Sequence, residues 1–451
     1  MDGAWYTHRH YFKRMTPEEL ALGAGGKTPP ADGPWTVVKA KSEGIMPGFT
    51  IEDSAGRTYF MKLDPPDNPE MSSGADVVTS KFFYALGYWV PDQYVVYFKA
   101  DRLVLGKNVY IMDPHLNATR RMKQRDLDST LRQTYRSPGG TYRALASLKM
   151  PGEGIGPFRF HSTRTDDPND IVQHENRRDL RGLYVFCAWL DHGDSKSNNT
   201  YDTLIAGPNG TKYIRHYLMD FGSTLGSASI QPKSPRTGNE PLFAWIPTFR
   251  NIFTLGLYAP LWVRYNYPDY PSVGRFASAT FHPDHWVPEY PNPAFINRRP
   301  DDEFWAAKQV MAFTDDDIRA IVRTGRYSDP KAEEYIVRTI AERRDMIGRT
   351  FIEKVLPLDR FAVRNGVLVF DDLGVKYGIV PARKLTVSWS QFDNITGARA
   401  PVQSSGFEVP RGAGEYWVAD IAQQGDARRT MSVYVRKHGS TAEVVGIDRR
   451  W

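Results

Sequence analysis

The chain has 451 residues, enough for two or three domains with complete hydrophobic cores. Its net charge of +6 is mild and its basic residues are scattered, so nucleic-acid binding is not expected. The single cysteine, Cys187, excludes an internal disulfide and a cysteine-cluster metal site, and no apolar run reaches the ~18 residues of a membrane span. A soluble protein is expected, with the cytoplasm slightly favoured and export allowed if a signal peptide was removed.

The first third of the chain reads as a polar segment followed by strands. Residues 1–34 are rich in Gly and Pro, which indicates a lead-in with one short helix after Thr16. Alternating apolar residues then predict a strand-rich region with one helix and a charged, helical insertion. The predicted strands are 35–40, 48–53, 58–63, 94–98, 108–112 and 142–148, the helix is 71–86, the insertion is 120–136, and 151–157 is a linker.

The remainder changes from helices to short strands. An apolar helix is predicted over 176–190, and Asn209-Gly210 is a strong hairpin signal between 203–205 and 212–219. Helices are expected around 304–313, 315–324 and 331–355. From Phe361 onward, short strands separated by turns predict a β-sandwich similar to immunoglobulin or fibronectin type III modules.

Two short motifs about twenty residues apart carry the functional signal. The stretch from His192 to Asn199 fits H-x-D-x-K-x-x-N, and Asp220-Phe221-Gly222 is a D-F-G at the end of an apolar run. In this order they resemble the catalytic and metal-binding loops of the protein-kinase-like superfamily, in its atypical or bacterial type. An Asx-rich turn would account for the first motif if it stood alone.

The resemblance implies an α+β, bilobal protein-kinase-like fold with a C-terminal all-β sandwich domain. The expected division is a lead-in at 1–34, a small lobe with an insertion at 35–150, a large lobe at 151–358 and the β-sandwich at 359–451. The A-P-E motif that follows D-F-G in eukaryotic protein kinases is missing, and an aromatic segment at 243–290 stands in that region. A protein substrate is therefore not assumed.

The resemblance also implies roles for the motif residues. Asp194 would be the catalytic base and Lys196 would steady the γ-phosphate. Asn199 and Asp220 would hold Mg²⁺, an ion that prefers oxygen ligands. Asp191 and Asn198 lie close enough in sequence to share these roles.

A lysine at the end of the third predicted strand completes the nucleotide site. Lys62 would pair with the α- and β-phosphates, and its acidic partner would be Asp76 or Glu70. Gly44 and Gly48 would let backbone N–H groups approach phosphates, although a two-glycine hairpin turn explains them equally well.

These residues predict an ATP- and Mg²⁺-dependent phosphotransferase that acts on an unidentified hydroxyl acceptor, which is a protein, a glycan or a small molecule. Two alternatives remain open: a catalytically inactive kinase-fold binding module, and a nucleotidyl (AMP) transferase on the same fold. The sequence contains no Walker A, H-E-x-x-H or G-x-S-x-G motif, which disfavours P-loop NTPases, zinc proteases and serine hydrolases.

Overall fold

The structure is a computed structural model. It describes residues 2–26, 28–41, 44–113, 118–241, 253, 260–439 and 441–451. Within these residues, no helix combines the length and the apolar character needed to cross a membrane.

The chain contains both helices and sheets, so the α+β fold class is confirmed. The described helices are α1 Pro17–Leu22, α2 Met71–Ala85, α3 Gln124–Arg132, α4 Arg178–Leu190, α5 Leu261–Arg264, α6 Pro293–Ile296, α7 Pro300–Val310, α8 Asp315–Arg323, α9 Pro330–Phe351 and α10 Leu373–Lys376.

The described strands form five sheets. They are β1 Trp35–Ala40, β2 Gly48–Glu52, β3 Thr58–Leu63, β4 Gln93–Phe98, β5 Leu103–Leu105, β6 Tyr110–Asp113, β7 Ala118–Arg121, β8 Tyr142–Leu148, β9 Glu153–Gly156, β10 Thr200–Ala206, β11 Lys212–Leu218, β12 Leu358–Arg364, β13 Val367–Asp372, β14 Leu385–Phe392, β15 Arg399–Val402, β16 Tyr416–Gln423, β17 Asp426–His438 and β18 Thr441–Arg449.

The chain divides into two compact units: Met1–Asn297 with Ala312–Arg344, and Arg298–Met311 with Asp345–Trp451. The second unit contains the C-terminal sheets and also takes in α7 and the end of α9, which the sequence places in the large lobe. The four-segment division therefore stays a prediction.

The sheet-rich lobe of the first unit is built on six strands in the order β4-β8-β3-β2-β1-β5. Side chains alternate between its faces, as strand geometry requires. In β3, Tyr59, Met61 and Leu63 are buried in an apolar core, whereas Phe60 and Lys62 belong to the opposite face. The predicted insertion 120–136 contains the end of β7 and the whole of α3. Strand β7 pairs with β6, and residues 114–117 between these two strands lie outside the described residues.

The helical lobe of the first unit is built around α4, whose residues from Asp179 to Leu190 are all buried. The helix ends at Asp191, whose left-handed backbone (φ 55°) turns the chain into the His192 loop. Strands β10 and β11 follow and pair antiparallel from Thr200 opposite Leu218, with Asn209-Gly210 in the connecting loop. The predicted linker 151–157 contains β9, which pairs with β10.

The N-terminal segment is packed against both of these lobes. The ring of Trp5 stacks on His216 of β11 with 3.5 Å between centroids. The Thr7 amide donates to the carbonyl of Gly87, just after α2, at 2.9 Å. Two guanidinium nitrogens of Arg14 donate to the carboxylate of Asp317 in α8, at 2.7 and 2.9 Å. This segment is therefore part of the folded unit.

The second unit has a β-sandwich at its centre, as the sequence predicts. The two-stranded sheet β12-β13 and the five-stranded sheet β15-β14-β16-β17-β18 share one apolar core. Leu358 and Leu368 come from the first sheet, and Trp389, Trp417 and Ile421 come from the second.

Substitution of a buried and of an exposed isoleucine in the five-stranded sheet tests the assignment of this core. Ile421→Ala should lower the free energy of unfolding by about 2–5 kcal/mol, because Ile421 is fully buried and its loss leaves a cavity. Ile447→Ala is the matched control, since Ile447 is 40% exposed, and should cost less than about 1 kcal/mol. Urea unfolding followed by tryptophan fluorescence measures both. Equal costs would contradict the assignment of this core.

Candidate active site

Lys62 forms the central ion pairs of the site. Its ammonium lies 2.9 Å from Asp76 Oδ2 and 2.7 Å from Asp220 Oδ1. Burial disfavours the charge of Lys62, but attraction to Asp76 and Asp220 outweighs it and raises the pKa of the ammonium. Attraction to Lys62 likewise lowers the pKa of the Asp220 carboxyl. Lys62 and Asp220 are therefore both charged at neutral pH.

The structure distinguishes the two carboxylates that the sequence leaves open as partners of Lys62. Asp76 is fully buried, and its Oδ1 also accepts hydrogen bonds from Gln93 Nε2 at 2.9 Å and the Phe221 amide at 3.0 Å. Glu70 precedes α2 and accepts a hydrogen bond from the Ser328 amide at 2.8 Å. Asp76 thus joins α2 to both Lys62 and the D-F-G loop.

The D-F-G residues make a sharp turn against α2. Asp220 has left-handed backbone angles (φ 63°, ψ 62°), a conformation that Asp tolerates better than most residues. Phe221 is fully buried and stacks on Phe83 of α2 with centroids 5.0 Å apart. A Cβ at Gly222 would lie 2.7 Å from Ser72 Oγ, so the third position requires glycine. The loop is therefore fixed by packing as well as by the Asp76 bond.

His192 completes this aromatic contact from the catalytic loop. Its ring packs edge-on against Phe83 and Phe221, at centroid distances of 6.0 and 5.6 Å. Burial, and secondarily repulsion from Lys233, lowers the pKa of His192 to about 4. The ring is neutral at pH 7, so it acts as a packing group that connects the two motifs.

The remaining predicted residues of the catalytic loop lie together. Lys196 Nζ is 2.7 Å from Asp194 Oδ1, and Asn199 Nδ2 donates to the Asp194 carbonyl at 2.6 Å and to Asp194 Oδ2 at 3.0 Å. Partial burial opposes the charge of Lys196, but the hydrogen bond to Asp194 raises its pKa overall. Asn198 is exposed. Asp194 is thus held by two partners while its side chain keeps 22% exposure.

Asn199 and Asp220 are brought side by side by the β10–β11 pairing. The Met219 amide donates to the Asn199 carbonyl at 3.0 Å, next to the Thr200–Leu218 pair. Because Asn199 Nδ2 is engaged by Asp194, its Oδ1 is the atom left to ligate a metal. An amide oxygen and a carboxylate fit a hard cation such as Mg²⁺.

A metal at this place would take its other ligands from phosphates and water. Nowhere in the described part of the chain do three or more His, Cys, Asp or Glu side chains form a metal site. Cys187 is fully buried, and burial raises the pKa of its thiol, so it is not a metal ligand or a nucleophile here.

A lysine that the sequence analysis misses anchors the start of the catalytic loop. Lys233 is buried, and its ammonium contacts the carbonyl of Asp191 at 2.6 Å and Asp191 Oδ2 at 3.3 Å. Trp286 Nε1 donates to Asp191 Oδ1 at 3.2 Å. Asp191 therefore has a structural role. The sequence holds no local signal for Lys233, because its partner lies 42 residues away.

A cavity of about 470 Å³ opens beside Lys62. This volume is within the ~300–1,000 Å³ of small-molecule sites. Among the described residues, four lysines and one carboxylate, that of Asp220, line it together with apolar and small residues. The lining residues are Lys39, Ala40, Lys41, Thr50, Phe60, Lys62, Pro91, Gln93, Ser147, Leu148, Lys149, Met150, Gly152, Gly154, Tyr201, Thr203, Met219 and Asp220. The cavity suits an anion attached to a flat apolar group.

The two glycines expected at the phosphates are not in this lining. A Cβ at Gly48 would lie 2.0 Å from the Met61 carbonyl, so Gly48 serves the close approach of β2 to β3. Gly44 has a left-handed backbone (φ 75°) that glycine adopts at no steric cost. Ser42 and Glu43 of the same loop lie outside the described residues.

The matched pair Asp76→Asn and Glu70→Gln tests which carboxylate is the partner of Lys62. Asp76→Asn should lower the free energy of unfolding by about 1.5–3 kcal/mol, since the Lys62 ammonium loses one of its two charged partners. Glu70→Gln keeps an acceptor for the Ser328 amide and should change the free energy of unfolding by less than about 0.5 kcal/mol. Chemical denaturation at pH 7 measures both. A larger effect of Glu70→Gln would reverse the assignment.

No protein-family model matches the sequence, and no curated protein matches it at a significant level. Among solved structures, the chain is similar to the proinflammatory kinase CtkA of Helicobacter pylori, at 13% identity and a TM-score of 0.34, over 70% of this chain and 98% of that chain. It is also similar to the Golgi casein kinase, at 9% identity and a TM-score of 0.34, over 71% and 74% of the two chains. The Golgi casein kinase with Mn/ADP bound gives 9% identity and a TM-score of 0.31, over 72% and 75%. With TM-scores below 0.5, the function is inferred from the side chains of this chain alone.

Proposed function

We propose that the protein is an ATP- and Mg²⁺-dependent phosphotransferase of the protein-kinase-like type. The observation that carries the proposal is the position of Lys62, paired with Asp76 and Asp220 in the wall of a cavity lined by four lysines. Lysines held beside carboxylates in a cavity of this size suit a nucleotide polyphosphate, whose charge they neutralise.

Each polar residue of the site has a task in this reaction. Lys62 would bind the phosphates, and Asp76 would keep it oriented and charged. Asn199 and Asp220 would hold Mg²⁺, which when bound neutralises charge on the phosphates. Apolar residues of the cavity, such as Phe60, would contact the base.

The catalytic loop would act on the acceptor. Asp194 would accept the proton of the acceptor hydroxyl, and its partial exposure leaves it accessible to a substrate. Lys196 would stabilise negative charge on the transferred phosphoryl group. The acceptor is a protein, a glycan or a small molecule with a free hydroxyl.

Asn substitutions that remove the charge of Asp220 or of Asp194 distinguish ATP binding from phosphoryl transfer. Asp220→Asn should weaken Mg²⁺-dependent ATP binding at least about tenfold, because a metal ligand loses its charge. Asp194→Asn should keep ATP affinity within about threefold but lower phosphoryl transfer by about 10²–10⁴-fold. Isothermal titration measures affinity. Release of labelled phosphate from the γ-position measures transfer to water, and incorporation of the label into the protein measures transfer to the protein itself.

The exposed Asp101→Asn serves as the control and should match the wild type in both assays. Absence of ATP binding by the wild type would overturn the proposal. Binding without turnover, unchanged by Asp194→Asn, would identify an inactive kinase-fold module. An AMP adduct in intact-protein mass spectrometry would identify nucleotidyl transfer.

A further inference from the structure

The side chain of Lys41 contacts described residues of the turn between β1 and β2. Lys41 follows directly after β1 and lines the cavity, and its ammonium donates to the Met46 carbonyl at 2.7 Å. A Cβ at Gly44 would lie 3.2 Å from Lys41 Nζ, and a Cβ at Gly48 would lie 3.4 Å from its Cδ. Gly44 therefore leaves space for the Lys41 ammonium, whereas a Cβ at position 48 would be at an ordinary packing distance from Lys41.

In the absence of a ligand, burial and the nearby charge of Lys62 disfavour the positive charge of Lys41. Burial, and then repulsion from Lys62, lowers the pKa of Lys41 to about 8, while Asp220 and Asp76 attract it. Lys41 and Lys62 line the same cavity. Like charges held together at a cost in stability are a feature of binding sites, where an anion relieves the repulsion.

We propose that Lys41 is a phosphate-binding residue of the nucleotide site. Its ammonium would contact phosphate as backbone N–H groups do in a glycine-rich loop, and Gly44 would leave the space that the ammonium needs. Lys41 and Lys62 would then contact the phosphates from two sides of the cavity. The inference rests on the proposed nucleotide site and adds to it a second cationic contact.

A purely structural role for Lys41 gives a different expectation. If the ammonium only fixes the turn through Met46, its loss would disturb the whole cavity and weaken every ligand alike. If it binds phosphate, its loss weakens only ligands that carry phosphate. Adenosine and Mg²⁺–ADP distinguish the two cases, since they share the base and ribose.

The experiment is isothermal titration of the full chain with Mg²⁺–ADP and with adenosine. Lys41→Met should weaken ADP binding at least tenfold and leave adenosine affinity within about twofold. Lys41→Arg keeps the positive charge and should recover most of the ADP affinity. Lys99→Met, an exposed lysine of the same lobe that does not line the cavity, should bind both ligands like the wild type.

Three results would overturn the inference, and they can be told apart. Unchanged ADP affinity in Lys41→Met would show that the ammonium does not touch phosphate. Equal weakening of ADP and adenosine, with no recovery in Lys41→Arg, would show a structural role. Failure of the wild type to bind either ligand would remove the proposed function together with this inference.

Discussion

A lysine ammonium withdrawn from water has to be paired, and the pairing of Lys62 organises the candidate site. Its two carboxylate partners come from α2 and from the D-F-G loop, so one charged group connects β3 to both elements. Asp76 extends the connection through the Phe221 amide, and Phe221 packs on Phe83 and His192. The cavity, the proposed metal ligands Asn199 and Asp220, and the His192 loop are all positioned relative to this ion pair.

Most of the elements around the site could be predicted from the sequence, because their signals are local. The alternation of Tyr59, Met61 and Leu63 with Lys62 gives both the strand and the face of the lysine. Asn209-Gly210 marks the hairpin that brings Asn199 next to Asp220. The C-terminal β-sandwich follows from the same kind of local pattern, short strands separated by turns.

The contacts that complete the site could not be predicted, because they join distant residues. Lys62 and Asp220 are separated by 158 positions, and α2 carries no periodic signal for Asp76 because nearly all of its residues are buried. Lys233 and Lys41 belong to no sequence motif, and their roles depend on the carbonyl that each ammonium contacts in the fold. Gly44 and Gly48 show the same limit. The sequence allows them either a place at phosphates or a hairpin turn, and the structure packs Gly48 against β3 and Gly44 close to Lys41.

The N-terminal segment has a consequence for where this fold begins. Trp5, Thr7 and Arg14 precede the first strand. They nevertheless contact His216 of β11, Gly87 shortly after α2, and Asp317 of α8, respectively. A fragment starting at Trp35, where strand periodicity begins, would uncover aromatic and charged surfaces in both lobes at once. The smallest part of the chain that can be expected to keep these contacts therefore starts about thirty residues before β1.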